Sequence, residues 1–235
     1  MTGRVVGIGV GPGDPELLTL KAVRRLGEAD VVVALAAADR PSRARAVVAA
    51  HLPATVRELR VPLEMGPDRS SANASYDRLA ATVGAELAGG AVVAVLCEGD
   101  PLLFGTFIYL LHRLPDGAPV EVVPGIPSAI AAAAAERWPL TTGGEGFAVL
   151  PATMGPARLH AALAVVRSAA ILKTGKRFHE VRDLLDRLGL LRDARLVVEL
   201  GSPNERRLPL ADWDEARAPY FSLILTRGLG TPDDG

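Results

Sequence analysis

Gly7, Gly9, Gly11 and Gly13 occupy every second position where the first β-branched run, Arg4 to Val10, gives way to Pro12, Asp14 and Pro15. A strand-to-helix turn stripped of Cβ atoms lets a ligand lie directly against backbone. From this run alone, a ligand turn and a compact empty connection are equally open. The spacing does narrow the ligand. The dinucleotide pattern G-x-G-x-x-G fails, because its third glycine falls on Asp14 or on Pro12. An aspartate at a helix start repels a pyrophosphate. A phosphate loop around Gly175-Lys176 fails as well, since Arg177 follows where Ser or Thr is needed and Ala170 stands at the first glycine. A ligand bearing a positive centre, such as a sulfonium, tolerates the carboxylate.

Two further turns repeat the theme. The apolar run Ala91 to Cys97 ends in Glu98-Gly99-Asp100-Pro101, and Val120 to Val123 ends in Pro124-Gly125-Ile126-Pro127-Ser128-Ala129. Ligands of open parallel sheets bind beyond the carboxyl ends of strands. An isolated Glu-x-Asp reads most simply as a helix cap on a solvated turn. Three such turns in one chain favour a shared pocket. Cys97, at the end of a buried run, reads as inert core.

The elements that must carry these turns alternate. Strands are expected at Arg4–Val10, Asp30–Leu35, Val56–Val61, Ala91–Cys97, Val120–Val123, Phe147–Leu150, Ala169–Lys173, Arg195–Leu200 and Tyr220–Thr226, the last a candidate for antiparallel pairing. The first helix is expected to open at Asp14-Pro15, with Leu17, Leu18, Leu20, Val23 and Leu26 as its apolar face and Gly27 as its stop. Further helices are expected at Ser42–Leu52, Tyr76–Ala88, Ser128–Arg137, Pro156–Val166 and Phe178–Leu188, and one is fed by the turn that Pro101–Leu114 opens. Met65–Ser75, rich in Ser, Gly, Pro and Asn, reads as a surface loop. The pattern is α/β with mostly parallel sheets.

Composition removes other classes. The 235 residues carry 26 basic and 27 acidic side chains, so the net charge of −1 argues against a nucleic-acid partner. One cysteine excludes a disulfide framework and a multi-cysteine zinc site, and the four histidines lie too far apart for metal-ligand spacing. The stretch Val122 to Ala135 is broken by prolines and falls short of a membrane span. With no signal-peptide pattern at the N-terminus, the expected location is cytoplasmic.

The motifs together resemble the tetrapyrrole methylases. Val6 to Lys21 is similar to the family's N-terminal signature, Glu98 to Gly105 to its central Gly-Asp-Pro motif, and Pro124 to Ala129 with Trp138-Pro139-Leu140-Thr141 to the segments that follow. The resemblance implies two αβα domains, expected at 1–118 and 119–235, with the cofactor cleft between them, usually in a homodimer. It implies S-adenosylmethionine as methyl donor, S-adenosylhomocysteine as product, a small-molecule tetrapyrrole substrate, and no resident metal. Position by position, the cofactor contacts it implies are Pro12, Glu98, Gly99, Asp100, Leu103, Ser128, Ala129, Thr174, Leu200 and Gly201. Leu96 to Leu110, Val149 to Thr153 and Ile171 to Phe178 resemble the branch that methylates C20 of precorrin-2. Leu35 stands where uroporphyrinogen methylases carry an aspartate. Glu98, Asp100 and His179 are candidates for a base that takes the meso proton, with no catalytic residue assigned. Lys173, Lys176 and Arg177 are candidates for gripping substrate carboxylates.

Overall fold

Runs of Val, Ile, Leu and Ala too apolar for a half-exposed sheet call for strands covered on both faces, and a computed structural model, describing residues 3–37, 40–64 and 69–230, shows two such sheets. The tertiary contacts divide the chain into two units, Met1–Pro127 and Ser128–Gly235.

In the first unit the sheet order is β3-β2-β4-β1-β5, with β1 Arg4–Gly9, β2 Val31–Ala36, β3 Arg57–Pro62, β4 Val92–Cys97 and β5 Val120–Val123. Every pairing is parallel. Side-chain alternation sends Val6, Ile8, Val32, Ala94 and Leu96 to one face, under Ala22 and Leu26 of α1 (Leu20–Gly27) and Ala44 and Val47 of α2 (Arg43–Val47). Val5, Val31, Val33, Val93 and Val95 go to the other, under Leu79 and Val83 of α3 (Arg69–Ala88) and Phe107 and Leu110 of α4 (Phe107–Leu111).

The expected boundary at 118/119 falls one strand early. β5 completes the first sheet by pairing with β1. Glu121 on β5 is clamped to α1 by Lys21 at 2.8 Å and Arg25 at 2.8 Å.

Two helices also depart from expectation. Asp14 does act as a cap, accepting the Glu16 N–H at 2.9 Å, but only a single 3₁₀ turn, Pro15–Leu17, follows. Thr19 then caps α1 afresh, accepting from the Ala22 N–H at 3.1 Å. This restart shifts the helix phase, so Ala22 and Leu26 face the sheet and Leu20 is 90% exposed. The loop expected over Met65–Ser75 is helical from Arg69 onward, within the 20-residue α3; 65–68 lie outside the described residues. The buried Ser75 hydroxyl donates to the Ser71 carbonyl one turn back and accepts from the Glu64 N–H, which lets a turn-forming residue sit inside a helix.

In the second unit the order is β6-β7-β10-β8-β9, with β6 Phe147–Pro151, β7 Ser168–Leu172, β8 Arg195–Val198, β9 Arg206–Pro209 and β10 Ser222–Arg227. Only β6 and β7 pair in parallel; β10 runs antiparallel to β7 and β8, as does β9 to β8. Strand β9 was not expected. Its sequence, Arg-Arg-Leu-Pro, lacks a strand pattern, but an edge tolerates both charge and proline. Helices α6 (Pro156–Leu163) and α7 (Phe178–Arg187) cover one face and α5 (Ser128–Ala135) the other. The segment after α5 is tied down by Arg227, which lies 4.4 Å over the Trp138 ring and donates to the Pro139 carbonyl, and by Ser168, whose hydroxyl donates to Leu140.

Candidate functional site

Parallel strands bring their carboxyl ends to one edge, and neighbours whose chains leave toward opposite faces open a crevice there. Strands β1 and β4 are such neighbours. The chain leaving β1 reaches α1 on one face, while the chain leaving β4 reaches α4 on the other. At that point Gly11 and Gly99 form an isolated bridge: the Gly99 N–H donates to the Gly11 carbonyl at 2.8 Å and the Gly11 N–H to the Gly99 carbonyl at 3.2 Å. Both glycines have positive φ, 76° and 65°.

The third turn packs onto this pair. A Cβ on Gly9 would lie 2.6 Å from Gly125 Cα and 2.8 Å from the Gly99 carbonyl oxygen. A Cβ on Gly125 would lie 2.7 Å from the Gly9 carbonyl carbon. The three turns therefore meet backbone to backbone, and no side chain fits among them. The glycines at positions 9, 99 and 125 are one construction.

Asp100 holds it together. Its Oδ1 accepts the Leu102 N–H at 2.9 Å and its Oδ2 the Gly125 N–H at 3.1 Å. Both oxygens of this carboxylate serve the turn, so Asp100 has a structural role in the glycine turns. Beyond it, Leu102, Leu103 and Phe104 are partly exposed, and Phe104 adopts φ 57°, a left-handed conformation costly for an aromatic residue.

Glu98 is an exposed residue whose carboxyl lies against the start of α2. Lost hydration there pushes its pKa up, opposed by the Arg43 charge and by a hydrogen bond from the Ala44 amide. Arg43 Nη2 also donates to the Pro12 carbonyl at 3.0 Å. Arg43 is a site residue that motif reading missed. Its signal was present, since Ser42-Arg43 opens the helix after β2, at the same sheet edge as the glycine turns. Cys97, as expected, is inert: burial pushes its thiol up to about 12.

Of the cofactor contacts expected from the sequence, the first unit thus brings together Pro12, Glu98, Gly99, Asp100 and Leu103. In the second unit Ser128 and Ala129 open α5, Thr174 follows β7, and Leu200 and Gly201 follow β8, at the end of the sheet where β10 begins. Thr174, just past β7, is 1% exposed, with its hydroxyl 3.5 Å from that of Ser222. Ala129 is buried in the same apolar cluster as Leu172 and Leu200. Gly201 has φ 74°, and its N–H donates to Glu205 at 2.7 Å. Lys173 and Glu199, the first residues past β7 and β8, both take left-handed φ, 56° and 50°. Such a backbone costs about 1–3 kcal/mol each and concentrates at functional turns. His179 is exposed on α7, and Arg177 is paired with Glu180 at 2.7 Å. Among the described residues no cluster of His, Cys, Asp and Glu forms a metal site, and no helix is long and apolar enough to cross a membrane.

The chain is similar to known proteins in sequence and in fold. A family model for tetrapyrrole (corrin/porphyrin) methylases matches residues 4–213. The chain is 40% identical over 235 residues to a precorrin-2 C(20)-methyltransferase of Sinorhizobium sp, covering 96% of each chain. It is 33% identical over 229 residues to a cobalt-precorrin-2 C(20)-methyltransferase of Salmonella typhimurium, again covering 96% of each. Among solved structures, the uroporphyrin-III C-methyltransferase of Thermus thermophilus complexed with S-adenyl homocysteine superposes with a TM-score of 0.64 at 31% identity, covering 95% of this chain and 97% of that one.

Proposed function

Because the chain belongs to the tetrapyrrole (corrin/porphyrin) methylase family, we propose that it transfers the methyl group of S-adenosylmethionine to C20 of precorrin-2, or of its cobalt-bearing counterpart, giving precorrin-3A or its cobalt form. The observation that carries the choice of carbon is the end-to-end 40% identity to a C20 enzyme. The crevice between β1 and β4 supports the donor: it is built from backbone, is flanked by the carboxylates of Glu98 and Asp100, and suits a cation.

The donor supplies an electrophilic methyl on sulfonium. Its contacts on the first unit are Pro12, Glu98, Gly99, Asp100 and Leu103. Backbone groups of the glycine turns hold it without side-chain rearrangement, and Asp100 acts by keeping those turns in register. The meso carbon of a reduced tetrapyrrole is already electron-rich, so the protein's main task is orientation, which lowers a barrier by about 7–11 kcal/mol at best. The working form is a homodimer in the cytoplasm.

The test is direct. Purified protein is incubated with S-adenosylmethionine carrying a ¹³C methyl and with precorrin-2, and the product is read by NMR. A new methyl at C20 is expected. A methyl at another ring carbon would move the chain to a different branch of the family, and absence of S-adenosylmethionine binding by calorimetry would remove the donor site. Sedimentation equilibrium reads the dimer.

A further inference from the structure

The crevice has a third wall, supplied by the start of α2. Ser42 caps that helix by accepting the Arg45 N–H at 3.3 Å. The first two helical residues then act on two different turns. Arg43 is bonded to the Pro12 carbonyl of the β1 turn at 3.0 Å, and its charge, together with the Ala44 amide, bears on Glu98 of the β4 turn. The β1 and β4 turns are already joined through Gly11 and Gly99. One short helix, with two residues buried against the sheet, therefore bonds the β1 arm of the crevice through the Arg43 guanidinium and the β4 arm through the Ala44 amide, and the Arg43 charge acts on that second arm as well.

We propose that Arg43 is a positioning residue for the methyl donor: it sets the Pro12 carbonyl and the Glu98 carboxylate relative to one another, so that the two turns offer the donor one fixed surface. This rests on the reading of the crevice as the donor site. The chemistry favours a cation here over a neutral brace. A positive centre bonded to a carbonyl oxygen and near a carboxylate is attracted to both, and it opposes the upward push that lost hydration gives Glu98. The charged and titratable groups around Glu98 are Arg43 from α2, Asp100 from the same turn, and the Cys97 thiol, which burial holds neutral.

The experiment compares wild type, Arg43→Met, Arg43→Lys and Glu98→Gln as full chains, with S-adenosylmethionine binding measured by calorimetry across pH 4.5 to 8. Arg43→Met is expected to weaken binding about tenfold and to move the acid limb of the binding profile to higher pH, because Glu98 without its cation takes up a proton sooner. Glu98→Gln is expected to flatten that limb. Arg43→Lys, which keeps the charge, is expected to hold the limb near its wild-type position while recovering only part of the affinity. Should Arg43→Met fail to fold, the Lys and Gln variants carry the same pH readout. Wild-type affinity and an unmoved acid limb in Arg43→Met, or a wild-type limb in Glu98→Gln, would overturn the inference. A wild-type protein that does not bind the donor at all would instead overturn the reading of the crevice.

Discussion

The two units build their strand-end turns from different materials. In the first, every strand is parallel, so all chains exit at one edge, and the turns after β1, β4 and β5 crowd until only glycine fits between them. In the second, β10 and β9 run against their neighbours, so fewer chains leave at the working edge, and the space is filled by side chains such as Thr174, Ser222 and Leu200. The first edge is rigid because backbone meets backbone. The second is shaped by hydroxyls and aliphatic groups, which change shape at smaller cost.

The contrast is sharpest at Gly125. Gly125→Ala forces a methyl against Gly9 and Gly99 with nothing soft to yield, and we expect a loss of about 3 kcal/mol by urea unfolding together with loss of donor binding. Thr174→Ser, at the corresponding edge of the second unit, should leave the urea midpoint almost unchanged. Equal effects at the two positions would break the comparison.

A smaller effect tests how each unit secures its helices. The Glu136 side chain, just past α5, is 6% exposed and accepts from Arg195 at 2.9 Å, with Arg207 at 3.9 Å. Glu136→Ala leaves these guanidinium groups without their buried partner, and a destabilisation of about 2 kcal/mol is expected, read by chemical denaturation. The donor turns of the first unit should be untouched, so donor affinity measured on the folded variant is expected to stay at the wild-type value.

The smallest effect concerns pH. Lys21 and Arg25 hold the pKa of Glu121 down at about 2, from an ordinary 4.5. A carboxylate with a depressed folded-state pKa adds stability that is fully present above its unfolded pKa and is lost as pH falls toward the folded one. Glu121→Gln should therefore cost about 1 kcal/mol at pH 7, as expected of a largely solvated ion-pair network. The gap between variant and wild type should close between pH 4.5 and 2. A gap that persists at pH 2 would mean that Glu121 acts through packing rather than charge.

Legibility in the sequence followed how local each cause is. The strands Arg4–Gly9 and Val92–Cys97 were readable because a buried parallel strand needs an unbroken apolar run. The glycine turns were readable because a missing Cβ leaves a mark in composition. Strand β9 was not readable, since Arg206 and Arg207 become a strand only by pairing with β8. The helical state of Arg69–Ser75 was equally hidden, because Ser75 is paired on both sides within the fold. The end of the first unit depended on β5 joining β1 rather than on any linker-like composition.

By themselves the residues determined the alternating architecture, the three glycine turns and the family resemblance, since each is written in runs of a few neighbours. Only the tertiary structure decided that Gly9, Gly99 and Gly125 form one backbone-packed floor, that the Asp100 carboxylate accepts from two turn amides, and that Arg43 reaches the same crevice. These facts depend on groups from two to more than a hundred residues apart, and the parallel sheet that gathers their strand ends exists only once the chain has folded.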